Sequence, residues 1–156
     1  MKKTDILILN FEEVRRRSLK VWSAITPEYY FWKPDPNALG CLEMVRHVLE
    51  SEHFYQWIIF NKGVIGNYSS PWDGRPYTSL EEEINFAKPY HAEFIDFVQG
   101  FTPEELENVE VIRPDKNQRR LLVDYLQRIA YHEAVHTGQM LSYLRTMGVD
   151  RPMIWD

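Results

Sequence analysis

The strongest chemical signal in the chain is a pair of histidines in Tyr131-His132-Glu133-Ala134-Val135-His136-Thr137-Gly138-Gln139. On a helix, residues at this spacing sit about 6 Å apart along the axis and roughly 40° around it, so both imidazoles project side by side. That is a bidentate metal geometry. Leu121, Tyr125, Ile129, Met140, Tyr143 and Met147 share the same face of the helical wheel, which turns the imidazoles toward an apolar interior. Buried neutral imidazoles need partners for their ring nitrogens, and one metal ion supplies a partner to each. The alternative is a pair of core histidines satisfied by hydroxyls or carbonyls.

A metal site needs a third protein ligand. His47 lies on a helical face with Met44, Ser51, Phe54 and Ile58, again a buried side, and it ranks first. His91 follows, close to Pro89 and of uncertain direction, and His53 comes last because it falls about 120° away from His47 on the wheel. Two ligands from one helix and one from a facing helix suit the core of a bundle and leave an open coordination position. Read literally, His132-Glu133-x-x-His136 is also the zincin motif, with Glu133 as general base. Against that reading, no histidine or glutamate follows His136 to act as the usual downstream ligand. Nor does a sheet edge present a peptide. Glu133 is then a residue that supports a ligand, or one that faces solvent.

The elements that must position these residues are helical. Thr4 to Thr26 has the periodicity of a helix with one buried side, ended by Pro27, and Trp32-Lys33-Pro34-Asp35-Pro36-Asn37 is a rigid loop. A second helix is predicted over Leu39 to Asn61, followed by a Gly- and Pro-rich loop from Gly63 to Tyr77. Ser79 and Glu82 form a capping box for a third helix to about Gln99, which Pro89 should kink or split. Thr102, Pro103 and Glu105 cap a short turn, and Val109 to Arg113 alternates like an extended segment. The longest helix is predicted over Asn117 to Met147, closed by Gly148. Four long helices without a sustained strand pattern imply an all-α antiparallel four-helix bundle, and the long loops imply a crossover connection.

Composition narrows the function classes. The 156 residues suit one domain spanning 1–156. A net charge of -5 argues against a nucleic-acid partner. The clusters Arg15-Arg16-Arg17 and Arg119-Arg120 read as solvated helix faces. A lone cysteine, Cys41, cannot form an internal disulfide and reads as a small packed residue. With no leader-like N-terminus and no apolar run of about 20 residues, the expected location is cytoplasmic, without membrane insertion.

The helix carrying His47 in Leu42-Glu43-Met44-Val45-Arg46-His47-Val48-Leu49-Glu50-Ser51-Glu52, together with His132-Glu133-x-x-His136-x-Gly138-Gln139 and Leu144-Arg145-x-x-Gly148, resembles the DinB-like family. That family includes bacterial thiol transferases and mycothiol-dependent isomerases, and the likeness extends over nearly the whole chain. The resemblance implies His47, His132 and His136 as metal ligands, an up-up-down-down-like bundle with a crossover, and homodimers. Three imidazoles suit zinc, nickel, copper or iron, with zinc and nickel the expected ions.

The leading expectation is a metal-dependent transferase or hydrolase acting on a small-molecule substrate. In the transferase form a low-molecular-weight thiol attacks an electrophile held against Phe54, Tyr125 or Tyr143. Arg128, about 40° from His132 on the wheel, would clamp a carboxylate of the thiol, unless it forms a surface ion pair. Gln139, one turn after His136, would orient an imidazole or a water, while Glu43 and Glu50 flank His47 and would support it. The alternatives are a non-catalytic, stress-related metal-binding module, and a metal-free bundle whose small face of Ala130, Ala134 and Gly138 packs a neighbour.

Overall fold

A computed structural model describes all residues, Met1–Asp156. Helix α1 (Lys3–Trp22) buries Leu7, Ile8, Phe11, Arg15, Ser18 and Trp22, a stripe at helical spacing. A 3₁₀ turn over Pro27–Tyr29 leads into α2 (Cys41–Phe60), whose start is capped by Glu43 accepting the Gly40 N–H at 2.7 Å. Ser79 caps α3 (Leu80–Gln99) through the Glu82 N–H. Contrary to expectation, Pro89 does not split α3. Pro89 is exposed, so the carbonyl that loses its partner lies on the wet side of the helix and can be hydrated. The short α4 (Pro103–Asn108) starts at Thr102 as its capping box foretold.

The last helix, α5 (Leu122–Met147), begins later than the predicted Asn117. Residues 118–121 instead form strand β2 (Gln118–Leu121), antiparallel to β1 (Glu110–Arg113) with Val111 opposite Arg120 and Ile112 opposite Arg119. Pro114-Asp115-Lys116 makes the turn and Asn117, at φ 49°, takes the left-handed conformation that closes it. The hairpin is docked by its first strand. The Ile112 N–H donates to the Lys62 carbonyl at 3.2 Å. Gly63 passes so close that a Cβ there would lie 1.7 Å from the Ile112 oxygen. At φ 104° Gly63 also adopts a conformation other residues avoid.

The four long helices stand at the corners of a bundle in which α1 touches α3 and α5, and α2 touches α3 and α5. Along α1 and α5, Asn10 bonds Gln127, Arg15 bonds Glu133 and Ser18 bonds Thr137, so these neighbours run parallel. Arg46 pairs with Glu83 and Glu52 with His91, so α2 and α3 are parallel too. Phe11 against Phe94, and Tyr55 against Tyr125, mark the antiparallel pairs. The order is up-down-down-up, in place of the expected up-up-down-down. Parallel consecutive helices require a return over the full helix length, and the 61–79 segment provides it. It climbs back over the α2–α3 seam through Trp57 to the Ile65 carbonyl, His53 to Tyr68, and Arg46 to the carbonyls of Arg75 and Pro76. No helix is long and apolar enough to cross a membrane.

The core is divided. One apolar cluster contains Phe11, Ile58, Phe94 and Leu126, and another Trp22, Val45, Trp72 and Met140. Between them lies a polar layer. Arg15 is buried, with its Nε 2.8 Å from Glu133 Oε1 and one terminal nitrogen 3.0 Å from Glu133 Oε2 and 3.3 Å from Glu52 Oε2. His91 Nδ1 donates to Glu52 at 2.9 Å. Arg15 is thus no part of a solvated face, unlike Arg16, which reaches Glu13 and Asp156 at the surface. Burial disfavours the Glu52 carboxylate, but the charges and hydrogen bonds of Arg15 and His91 prevail and hold its pKa below the ordinary value. Arg15→Ala leaves two carboxylates without their cation and is expected to cost about 3–5 kcal/mol in urea unfolding. Arg16→Ala is expected to leave the midpoint nearly unchanged. A depressed folded-state pKa gives stability that is whole above the unfolded carboxylate value and is lost as pH falls through the folded one. The gap between wild type and Arg15→Ala should therefore narrow in acid; equal losses for the two arginine variants would contradict the assignment.

Candidate metal centre

The antiparallel contact of α2 with α5 brings His47 opposite the His132–His136 pair. His132 Nε2 lies 3.1 Å from His47 Nε2 and 3.2 Å from His136 Nε2, and one ligand atom from each ring falls within 4.8 Å of the others. Tetrahedral coordination at zinc–nitrogen distances of 2.0–2.1 Å puts ligand nitrogens about 3.3 Å apart, close to the two His132 distances, so the donor set suits a transition metal. His136 is further oriented by Gln139, whose Oε1 is 2.7 Å from His136 Nδ1. A carboxamide oxygen only accepts, so Nδ1 carries the proton and Nε2 presents its lone pair to the cluster.

All three rings are partly buried at the flank of the bundle, more open than the apolar wheel face implied. Burial, then the charges of His136 and His47, push the His132 pKa down to about 4. Burial and then His136 lower that of His47, while the nearby charge of Glu50 acts in the opposite direction. Two imidazoles are accordingly neutral near pH 7, the form that binds metal.

Beside the cluster opens a cleft of about 300 Å³ whose walls include His47, Phe54, Tyr55, Tyr125, Arg128 and His132. The hairpin contributes Arg113, Lys116 and Gln118 to it. A second hollow of about 400 Å³ shares Tyr55, Arg128 and His132 and adds Arg120, Tyr131 and Val135. The return loop 61–79 contributes to neither wall. Of the residues singled out from sequence, Tyr125 and Arg128 line the cleft and Gln139 touches a ring of the cluster. Glu50 acts on His47 through its charge. Tyr143 does not belong there. It lies seven residues beyond His136, about 10 Å along the axis, where its hydroxyl donates to the Leu39 carbonyl at 3.2 Å and its ring meets Trp32. Glu43 is used up in capping α2. Glu133 points to Arg15 and away from the cleft, which removes the general base of the zincin reading. His91 and His53 are engaged with Glu52 and Tyr68 and stay out of the cluster.

A four-helix bundle with three imidazoles converging on its flank is a class of protein equipped to hold one metal ion. The chain belongs to the DinB superfamily, whose profile matches residues 10–140. It is similar to the uncharacterized protein YjoA of Bacillus subtilis (strain 168), with 25% identity over 95% of this chain and 93% of that protein. The crystal structure of YjoA, a DinB-like protein, superposes with a TM-score of 0.71 at 21% identity, covering 95% of this chain and 96% of that one. YfiT from Bacillus subtilis, described as a probable metal-dependent hydrolase with an unusual four-helix bundle topology, superposes with a TM-score of 0.74. Its identity is 16% over 96% of this chain and 91% of YfiT.

Replacing Gln139 with Leu deprives the His136 Nδ1–H of its acceptor. Outer partners of this kind are worth about 10- to 100-fold in metal affinity. Competition against a chromophoric chelator is expected to show a loss of that size for zinc, with thermal stability of the metal-free protein unchanged. Undiminished affinity would mean that Gln139 does not orient the ligand.

Proposed function

We propose that the protein is a metal-dependent enzyme acting on a small molecule, with His47, His132 and His136 holding one divalent transition metal ion, zinc or nickel. The observation that carries this reading is the convergence of three Nε2 atoms at 3.1 and 3.2 Å beside a cleft of about 300 Å³. A metal held by three protein ligands keeps an open position and lets water or a thiol act as a nucleophile near neutral pH. The open cleft speaks for an enzyme over a non-catalytic metal-binding module, which needs no room for a substrate.

The chain's own residues favour one of the two reactions. No carboxylate lines either hollow, and Glu133 is committed to Arg15. A nucleophile entering this cleft finds no carboxylate base. A metal would lower the pKa of bound water and of a bound thiol alike. Hydrolysis of an ester or amide, however, also calls for a proton shuttle to the leaving group, which a thiolate displacing a halide does not need. Transfer of a low-molecular-weight thiol to an electrophile is therefore the first reading, with Phe54, Tyr55 and Tyr125 offering flat apolar walls for the electrophile. Hydrolysis is the second reading, supported by the description of YfiT.

The test pairs zinc- or nickel-loaded protein with two assays. One follows displacement of chloride from chlorodinitrobenzene by the cysteine thiolate, and the other hydrolysis of activated esters and amides. Acceleration in the thiol assay is expected, with a loss of at least about 100-fold in His47→Ala and after chelation. Ester or amide turnover alone would select hydrolysis. A metal-loaded protein that accelerates neither, or a His47→Ala variant as active as wild type, would contradict the proposal.

A further inference from the structure

The cleft beside the histidines differs from the rest of the chain in charge. The protein as a whole is acidic, with 23 Asp and Glu against 18 Lys and Arg. Yet the walls of the cleft carry Arg113, Lys116 and Arg128, the adjoining hollow adds Arg120, and neither contains an acid. Two of the four cations are neutralised within the fold. Arg113 forks onto Asp115 at 2.6 and 2.9 Å, and Arg120 reaches Asp124 at 2.8 Å. The other two form no salt bridge, although the charge of Lys116 is felt by the neighbouring Asp115. Arg128 has one polar partner, the neutral Gln118 Oε1 at 3.3 Å, and its guanidinium lies 5.5 Å from the centroid of the Tyr125 ring. Lys116, at the tip of the hairpin, forms no ion pair.

A partly buried guanidinium has given up part of its hydration, and an oxyanion restores it with two parallel hydrogen bonds. Its position adds a constraint on the ligand. Arg128 precedes His132 by one helical turn, so an anion on its fork sits beside the histidine cluster on the same face of α5. The lysine at the hairpin tip adds a point charge to the wall of the same cleft.

We propose that this cleft selects substrates bearing a terminal oxyanion, gripped by Arg128 and Lys116 while the reacting group faces the histidines. The inference rests on the reading of the histidine cluster as the reaction centre, but the clamp is defined by groups outside that cluster. It also gives the β-hairpin a purpose: the strands that replace the first turn of the long helix hold one cation at their tip and supply Gln118 to the other.

The experiment measures binding of 3-mercaptopropionate and its neutral methyl ester by calorimetry, to zinc-loaded wild type, Arg128→Gln and Lys116→Gln. Wild type is expected to prefer the acid by about 10- to 100-fold, as charge-assisted bonds to a partly exposed arginine allow. The preference should collapse in Arg128→Gln, weaken in Lys116→Gln and partly return in Arg128→Lys, with ester affinity unmoved. Acetate and inorganic phosphate, added as competitors, identify the oxyanion by whichever displaces the acid more strongly. Equal affinity for acid and ester in wild type, or a preference that survives in Arg128→Gln, would overturn the clamp. Zinc uptake in the same samples reports separately on the histidines. If no metal binds, the functional reading fails, and the same comparison on metal-free protein, followed by the NMR signal of the Arg128 guanidinium, still decides for or against the clamp.

Discussion

The arrangement of the helices depends on one buried cation. Arg15 reaches from α1 to Glu133 on α5 and Glu52 on α2, and Glu52 in turn accepts from His91 on α3, so one polar layer ties all four corners of the bundle. A buried guanidinium is tolerated only when its donors are met, which leaves little freedom in how each helix is rotated about its axis. For α5 the consequence is direct. With Glu133 turned inward to Arg15, His132 and His136 lie about 100° and 60° to one side, and that side faces α2. The glutamate that a zincin would use as a base instead sets the angle at which the two histidines are presented.

The chain path gives the site its open side. Because α2 and α3 run parallel, the 61–79 return lies over their shared seam and leaves the α2–α5 seam uncovered. What borders the histidines is the hairpin between α4 and α5, fixed along its first strand where Gly63 lets the Lys62 carbonyl meet the Ile112 N–H. A short β element thus does in this bundle what a loop does in many enzymes, placing polar side chains at the mouth of a cleft on a rigid support.

Much of this was legible from residue pattern, and the misses have physical causes. His47 could be matched with His132 and His136 because a histidine on a buried helical face has few bland explanations, and helical spacing shows which face it occupies. Arg15 looks solvated in the sequence because it sits in a run of three arginines, although Phe11, Arg15, Ser18 and Trp22 share the buried spacing of α1. Tyr143 lies on the right face, but a wheel discards distance along the axis, and there the residue misses the cluster. The first strand is legible in the alternation of Val109 to Arg113, but the second reads as helix because Gln118 to Leu121 continues without a break into helical periodicity. Pro114-Asp115-Lys116-Asn117 was the turn signal available, and with it Arg113, Lys116 and Gln118 would have been placed beside the site.

The central claim is that three imidazoles on two facing helices hold one metal ion. Elemental analysis of protein purified without a histidine tag tests it most directly, with His47→Ala and His132→Ala alongside. The account predicts near-stoichiometric zinc or nickel in the wild type and its loss in both variants, since two remaining imidazoles bind far more weakly than three. A wild type that takes up no metal even after incubation with zinc and nickel, or variants that retain it fully, would contradict the account.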